Sequence, residues 1–395
     1  MATPLLYAPT MPRTSIAVAV AVGVIVGACS TSTTDDTSEA DPGRLVLWNE
    51  ESIGVLDSGE VDSIDTSGEI SQVTAAGDGT LIWTRVGGDP PSVDAVVGSL
   101  FELATPTVPF FYEWNPTGTR VAFLGNSPSG SGLVFGLIDV EDEAVTTIES
   151  PAPFFFDWSP DGERLIAHVG GAALGIIEAE TGAVQELPEA SGAFPAPLWN
   201  ERGIVVVTRV GPTISTPVMP VAAYQAATST IVLIDPDDDS RTPLAEVDGP
   251  VRLFPGAESL ALVGGVAGDQ RVEVIGWDGS AVATLGEGAI DLAQWSPDGT
   301  TLLWTERRAD GRLTPKTWSG GDVAVHEAFQ PSSIFATAYL PFWDQYDRTV
   351  SLWSPDSGAF AVATTNGVIV NVVGGESSTY PGWEMAIWTA TPGAG

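Results

Sequence analysis

One phrase recurs along this chain and leaves it few folds to choose from: a tryptophan, a Pro/Asp/Gly turn, then an apolar run of strand length. It is clearest in Trp158-Ser159-Pro160-Asp161-Gly162, followed by Arg164-Leu165-Ile166-Ala167, and in Trp295-Ser296-Pro297-Asp298-Gly299, followed by Leu302-Leu303-Trp304. Looser copies begin at Trp114, Trp199 and Trp353, and degenerate ones lie at Phe254-Pro255-Gly256 and Gly77-Asp78-Gly79. The chemistry is that of a hairpin. Proline presets φ, aspartate accepts a local backbone hydrogen bond, and glycine takes the left-handed position that turns the chain back.

A second hairpin with an acidic turn follows most copies, as at Ile176-Ile177-Glu178-Ala179-Glu180-Thr181-Gly182 and Val274-Ile275-Gly276-Trp277-Asp278-Gly279. Two hairpins make four strands per repeat, and no stretch in the repeat region sustains a 3.6-residue apolar period. Trp114 and Trp158 are 44 residues apart, and Trp158 and Trp199 are 41 apart. That is the period of about 40–45 residues of one propeller blade. The phrase and its strand resemble the TolB-type, WD-repeat-like propeller repeat, which implies an all-β chain of four-stranded antiparallel blades. Here the repeats follow a polar segment directly, with no α/β domain ahead of them.

The ends supply the closure. Trp383-Glu384-Met385-Ala386-Ile387-Trp388 reads like the strand before a turn, and Arg44-Leu45-Val46-Leu47-Trp48 like the strand after one. We therefore expect the two termini to share a blade, which removes the sheet edge. With that composite blade the turn slots number eight. Seven is the alternative count, because the slots at Gly79 and Pro255 are degenerate.

Three regions precede or interrupt this pattern. Residues 1–28 read as an export signal: Ile16 to Ala28 is an uninterrupted apolar run of 13 residues after Arg13. That is too short to span a hydrocarbon core of about 30 Å, but it fits a signal-peptide core. It ends in Val26-Gly27-Ala28-Cys29, which resembles a bacterial lipobox. The resemblance implies lipidation of Cys29, the chain's single cysteine. Residues 29–43 hold no large apolar side chain and read as a flexible tether; residues 44–395 read as one propeller domain. Two insertions exceed the blade period, Gly211 to Thr230 and Phe329 to Tyr346. The second carries Phe335, Tyr339, Phe342, Trp343 and Tyr346. Aromatic loops on a rigid scaffold are where recognition concentrates, so Tyr339, Phe342, Trp343 and Tyr346 are the candidate partner-binding residues. Packing beneath the loop is the other reading of the same aromatics.

Composition limits the chemistry. With 51 acidic and 15 basic residues the net charge is -36, a surface that repels phosphate backbones and excludes nucleic acid as a partner. One cysteine forbids an intrachain disulfide, and two histidines, His168 and His326, leave little for transition-metal binding. No catalytic residue is assigned. G-x-S-x-G is absent, and the sialidase-like start at Ser296-Pro297-Asp298-Gly299 is the repeat's own turn. Asp235, Asp237, Asp239 and Glu246 occupy positions 1, 3, 5 and 12 of a calcium-type loop. Position 6 is Ser240 rather than glycine, and a solvated hairpin turn accounts for the same residues, so no cofactor is required and calcium is the one candidate. The expectation is a monomeric, lipid-anchored envelope propeller that binds a protein or glycan without catalysis. The rival is a propeller glycan hydrolase or lyase using channel carboxylates.

Overall fold

A computed structural model describes residues 43–391 except 58, 65, 67, 88–90, 98, 131, 151–153, 170–172, 191–195 and 211–227. The export signal, Cys29, the tether to Pro42 and most of the first insertion lie outside the described residues.

The strands form eight antiparallel sheets. Seven are four-stranded, and their strands follow chain order within blade 2 (residues 69–104), blade 3 (109–150), blade 4 (154–190), blade 5 (198–248), blade 6 (251–288) and blade 7 (290–325). Blade 1 is composite. Met385–Thr389 is its inner strand and pairs with Arg44–Trp48 in the register Arg44↔Thr389 to Trp48↔Met385. Ile53–Asp57 and Glu60–Ile64 complete it. Blade 8 has three regular strands, Ala359–Thr364, Gly367–Val372 and Ser377–Tyr380; its inner position is held by isolated bridges from Trp353 to Phe360 and from Pro331 to Thr364. The propeller thus has eight blades, closed by its own termini, with one blade at each turn slot of the repeat.

Burial follows position in the blade. Arg164–Val169 reads as an almost continuous buried run, because a middle strand packs against neighbouring blades on both faces. Asp322–Val325, the outermost strand of blade 7, is exposed throughout. The turn chemistry works as its residues dictate. Ser159 Oγ donates to Asp161 and accepts from the Arg164 amide at 2.9 Å, and Gly162 takes φ +70°. In the blade 8 copy Ser357 occupies the left-handed site at φ +62°, which is where an extra residue precedes Gly358. The repeat tryptophans also join blades. Trp158 Nε1 donates to the carbonyl of Glu113 in blade 3 at 3.0 Å, Trp295 Nε1 to Phe254 in blade 6 at 3.2 Å, and Trp353 Nε1 to Gln294 in blade 7 at 3.3 Å.

Candidate functional site: a plugged central channel

The inner strands of eight blades enclose a central channel, and in this protein the chain fills it with itself. Between blades 7 and 8 the backbone leaves the sheet and forms three short turns: a π turn Phe335–Tyr339, a 3-10 turn Leu340–Phe342 and an α turn Trp343–Tyr346. Pro341 cannot supply an amide hydrogen, so the helix restarts there instead of running on. Phe335, Tyr339, Trp343 and Tyr346 follow one another at helical spacing, and all four are buried. Trp48 of blade 1 packs edge-on against Tyr339 at 6.3 Å between ring centres, and Phe111 of blade 3 against Tyr346 at 5.0 Å.

The plug's polar atoms reach the inner strands around the ring. Tyr339 Oη donates to Gln72 Oε1 of blade 2 at 2.8 Å, Tyr346 Oη to the Phe110 carbonyl of blade 3 at 3.0 Å, and Gln345 Nε2 to Phe156 of blade 4 at 2.9 Å. Arg348 Nη1 donates to the Pro197 carbonyl ahead of blade 5 at 2.7 Å, and Trp343 Nε1 to Ala293 of blade 7 at 2.9 Å. Gln294 of blade 7 then clamps the exit, donating to the Val350 carbonyl at 2.9 Å and accepting from the Leu352 amide at 2.8 Å.

This arrangement corrects the expectation for the aromatic insertion. Tyr339, Trp343 and Tyr346 present no surface to a partner: they are 0, 0 and 5% exposed and belong to the core. The physical reason is that the insertion has an eight-bladed channel to fall into, and its apolar face is worth more there than in water. Phe342 alone of the four candidates is exposed, at 51%.

Under the plug lies a group of buried charges. Glu113 and Asp157 each stand one residue before the repeat tryptophan in adjacent blades, and the two carboxyl groups interact with each other. Asp157 also accepts from the Trp199 amide at 2.6 Å and pairs with Arg348 Nη1 at 3.0 Å. Asp347 Oδ1 lies 4.0 Å from Arg348 Nε, and neither atom has a hydrogen-bond partner; Glu113 Oε2 and Gln345 Oε1 also lack one. Burial pushes the Glu113 carboxyl well above the usual carboxylate range, and the neighbouring charge of Asp157 adds to it. Burial does the same to Asp347, and raises Asp344 against the opposing charge of Arg252. Burial alone would lower the Arg348 pKa, but Asp157, Glu113, Asp347 and Asp344 more than offset it and the guanidinium stays charged. The sequence signal for the pair was an acid set between aromatic runs, in Pro109–Trp114 (PFFYEW) and Phe154–Trp158 (FFFDW).

The calcium-type loop does not assemble. Asp235 to Ser240 is the exposed turn between Thr228–Ile234 and Arg241–Asp248, with the Asp237 amide bonded to Asp235 Oδ1 at 2.9 Å and Asp239 at φ +64° paired with Arg241 at 3.3 Å. Glu246 sits five residues along the second strand, opposite Thr230, and at about 3.3 Å per residue it is out of reach of the three aspartates. An extended strand replaces the helix-flanked loop that would bring position 12 back. Among the described residues no three His, Cys, Asp or Glu side chains converge on a metal-sized site. Asp235 and Asp237 instead line an open, polar groove of about 450 Å³ between blades 4 and 5, with Asp161, Trp199, Glu201 and Arg202.

No protein-family model and no curated protein matches the chain. Among solved structures it is similar to a eukaryotic initiation factor, with a TM-score of 0.58 and 11% identity over 89% of this chain and 99% of that one. It is also similar to the β-propeller domain of the trilobed protease from Pyrococcus furiosus (0.51, 12%, 78% and 96%). A third likeness is to an oligogalacturonate lyase in complex with manganese (0.52, 14%, 80% and 86%). At these identities the shared property is the propeller fold. The protease domain is described as having an open velcro topology, whereas here Arg44–Trp48 and Met385–Thr389 pair and close the ring.

Proposed function

We propose that the chain is a non-enzymatic recognition propeller, held at the bacterial cell envelope by a lipid on Cys29, whose outer surface binds an envelope protein or glycan. The observation that carries this reading is the occupied channel. The place where a propeller would admit a small substrate is filled by residues 329–350, which leaves the faces and grooves outside the ring for a partner. The lipobox-like Val26-Gly27-Ala28-Cys29 and the polar tether after it supply the anchor. The rival reading, a glycan hydrolase or lyase, gains some support from the likeness to an oligogalacturonate lyase. Against it, Glu113 and Asp157 are 3 and 8% exposed and lie beneath the plug, where no glycan chain can reach them.

The test uses full-length protein in native membranes. Wild type should partition into detergent, Cys29→Ser into the aqueous phase, and cross-linked capture with wild type should enrich a single envelope protein or glycan over an unrelated propeller. Equal membrane retention of Cys29→Ser contradicts the anchor. Release of reducing ends or unsaturated uronides from envelope polysaccharide by the purified protein contradicts the non-enzymatic reading.

A further inference from the structure

The plug is built unlike the blades that surround it, and its charges are unbalanced in one direction. Its helical turns span only five, three and four residues, too short to persist on their own. On leaving the channel the chain does not enter a ladder. Past the plug, the inner position of blade 8 is made by an isolated bridge, Trp353 to Phe360, and by the Ala361 amide bonded to the Leu352 carbonyl at 2.8 Å; ahead of it Pro331 bridges to Thr364. Residues 335–350 lie between the isolated bridges at Phe329 and Pro331 and the one at Trp353, so they can move without breaking a strand pair.

The groups that face it are few. Blade 3 contributes Glu113, blade 4 Asp157 and blade 6 Arg252, while the plug itself brings Asp344, Asp347 and Arg348. Blades 2 and 7 present the neutral Gln72 and Gln294, blade 5 a main-chain carbonyl, and blades 1 and 8 the apolar Trp48 and Leu352. The phenols of Tyr112, Tyr339 and Tyr346 are all pushed up by burial and stay neutral. Four carboxyl groups thus meet Arg348, with Arg252 acting on Asp344. Asp157 is well supplied, accepting from Arg348 and the Trp199 amide. Glu113 Oε2 and Asp347 Oδ1 have no donor to meet them once they ionise. A buried carboxylate without a donor is far less stable than the neutral acid, so protons complete this site.

We propose that residues 335–350 form a proton-dependent plug: seated in the channel while Glu113, Asp344 and Asp347 beside Arg348 hold protons, and loosened when rising pH ionises them. The sign follows from linkage. Glu113, Asp344 and Asp347 hold protons more tightly in the seated state than in water, so above the ordinary carboxylate range seating takes up protons and weakens as pH rises through their raised values. The loss centres on the plug because these groups sit on it and on the inner strands that face it, and the middle strands of blades 5 and 6 carry none of them.

Amide hydrogen exchange, expressed as protection relative to the intrinsic rate at each pH, reads this directly on the full-length protein. From pH 6 to pH 9 protection at residues 335–350 should fall at least about tenfold more than at the middle strands of blades 5 and 6, given up to tenfold per pH unit for each proton released. Glu113→Gln with Asp347→Asn fixes both groups neutral and should remove the excess fall. A parallel response of plug and blades in the wild type overturns the proposal. So does an undiminished slope in the folded double variant; should that variant not fold, the wild-type comparison alone decides.

Discussion

Arg348 is the residue on which the interior of the ring turns. It lies among Glu113, Asp157, Asp344 and Asp347 at 11% side-chain exposure, so its loss leaves carboxyl groups buried without their cation. Arg348→Ala is expected to cost about 3–5 kcal/mol of stability, the range found when one partner of a buried ion pair is removed. Urea titration is the suitable measurement, because urea does not screen charge. The cost should shrink from pH 8 to pH 5 as the stranded acids take up protons; an equal cost at both would mean that Arg348 acts through packing alone. At this scale the sequence was only half readable. The aromatic insertion stood out, and so did an acid before each of two repeat tryptophans. Whether Trp343 faces solvent or the channel depends on contacts with Ala293, fifty residues away, and no local pattern carries that. Phe335, Tyr339, Trp343 and Tyr346 do share a helical spacing, but Pro341 interrupts it, and the interruption reads as a loop.

Among the elements, the strands were legible because their signal is local. Each turn motif names its hairpin, the degenerate turns at Gly79 and Pro255 still form one, and the terminal strands could be matched as two halves of a single blade. The calcium-type loop failed for an element-scale reason. Its spacing belongs to a helix-flanked loop, and here the residues after Ser240 are a strand that carries Glu246 away. The closure makes a sharp expectation. Met385–Thr389 is the inner strand of blade 1 and pairs with Arg44–Trp48 along all five of its residues. Deleting residues 383–395 exposes a strand edge beside the channel and removes the wall behind Trp48. The truncated protein should aggregate or lose its single cooperative unfolding transition, as followed by calorimetry and light scattering. A melt superimposable on that of the full-length chain would show that closure adds nothing to stability.

At the scale of the whole molecule, a closed ring with an occupied channel directs recognition outward. The net charge of -36 favours partners that bring cations or neutral polar groups to that outside. The claim beneath both the functional reading and the pH-dependent plug is that residues 329–350 fill the channel in solution. The chain offers a direct probe, since Cys29 is its only cysteine and Cys29→Ser leaves a background free of thiols. Within that background Val350→Cys is nearly isosteric at a position 3% exposed, and Phe342→Cys lies at the exposed point of the plug. At pH 6.5 the rate of modification by a small maleimide should separate them. The Phe342→Cys thiol should react like a free thiol and the Val350→Cys thiol should be protected at least about a hundredfold, the ratio that corresponds to roughly 2.8 kcal/mol of local opening. Equal reaction rates at the two positions in folded protein would mean that the channel stands open, and would contradict the account.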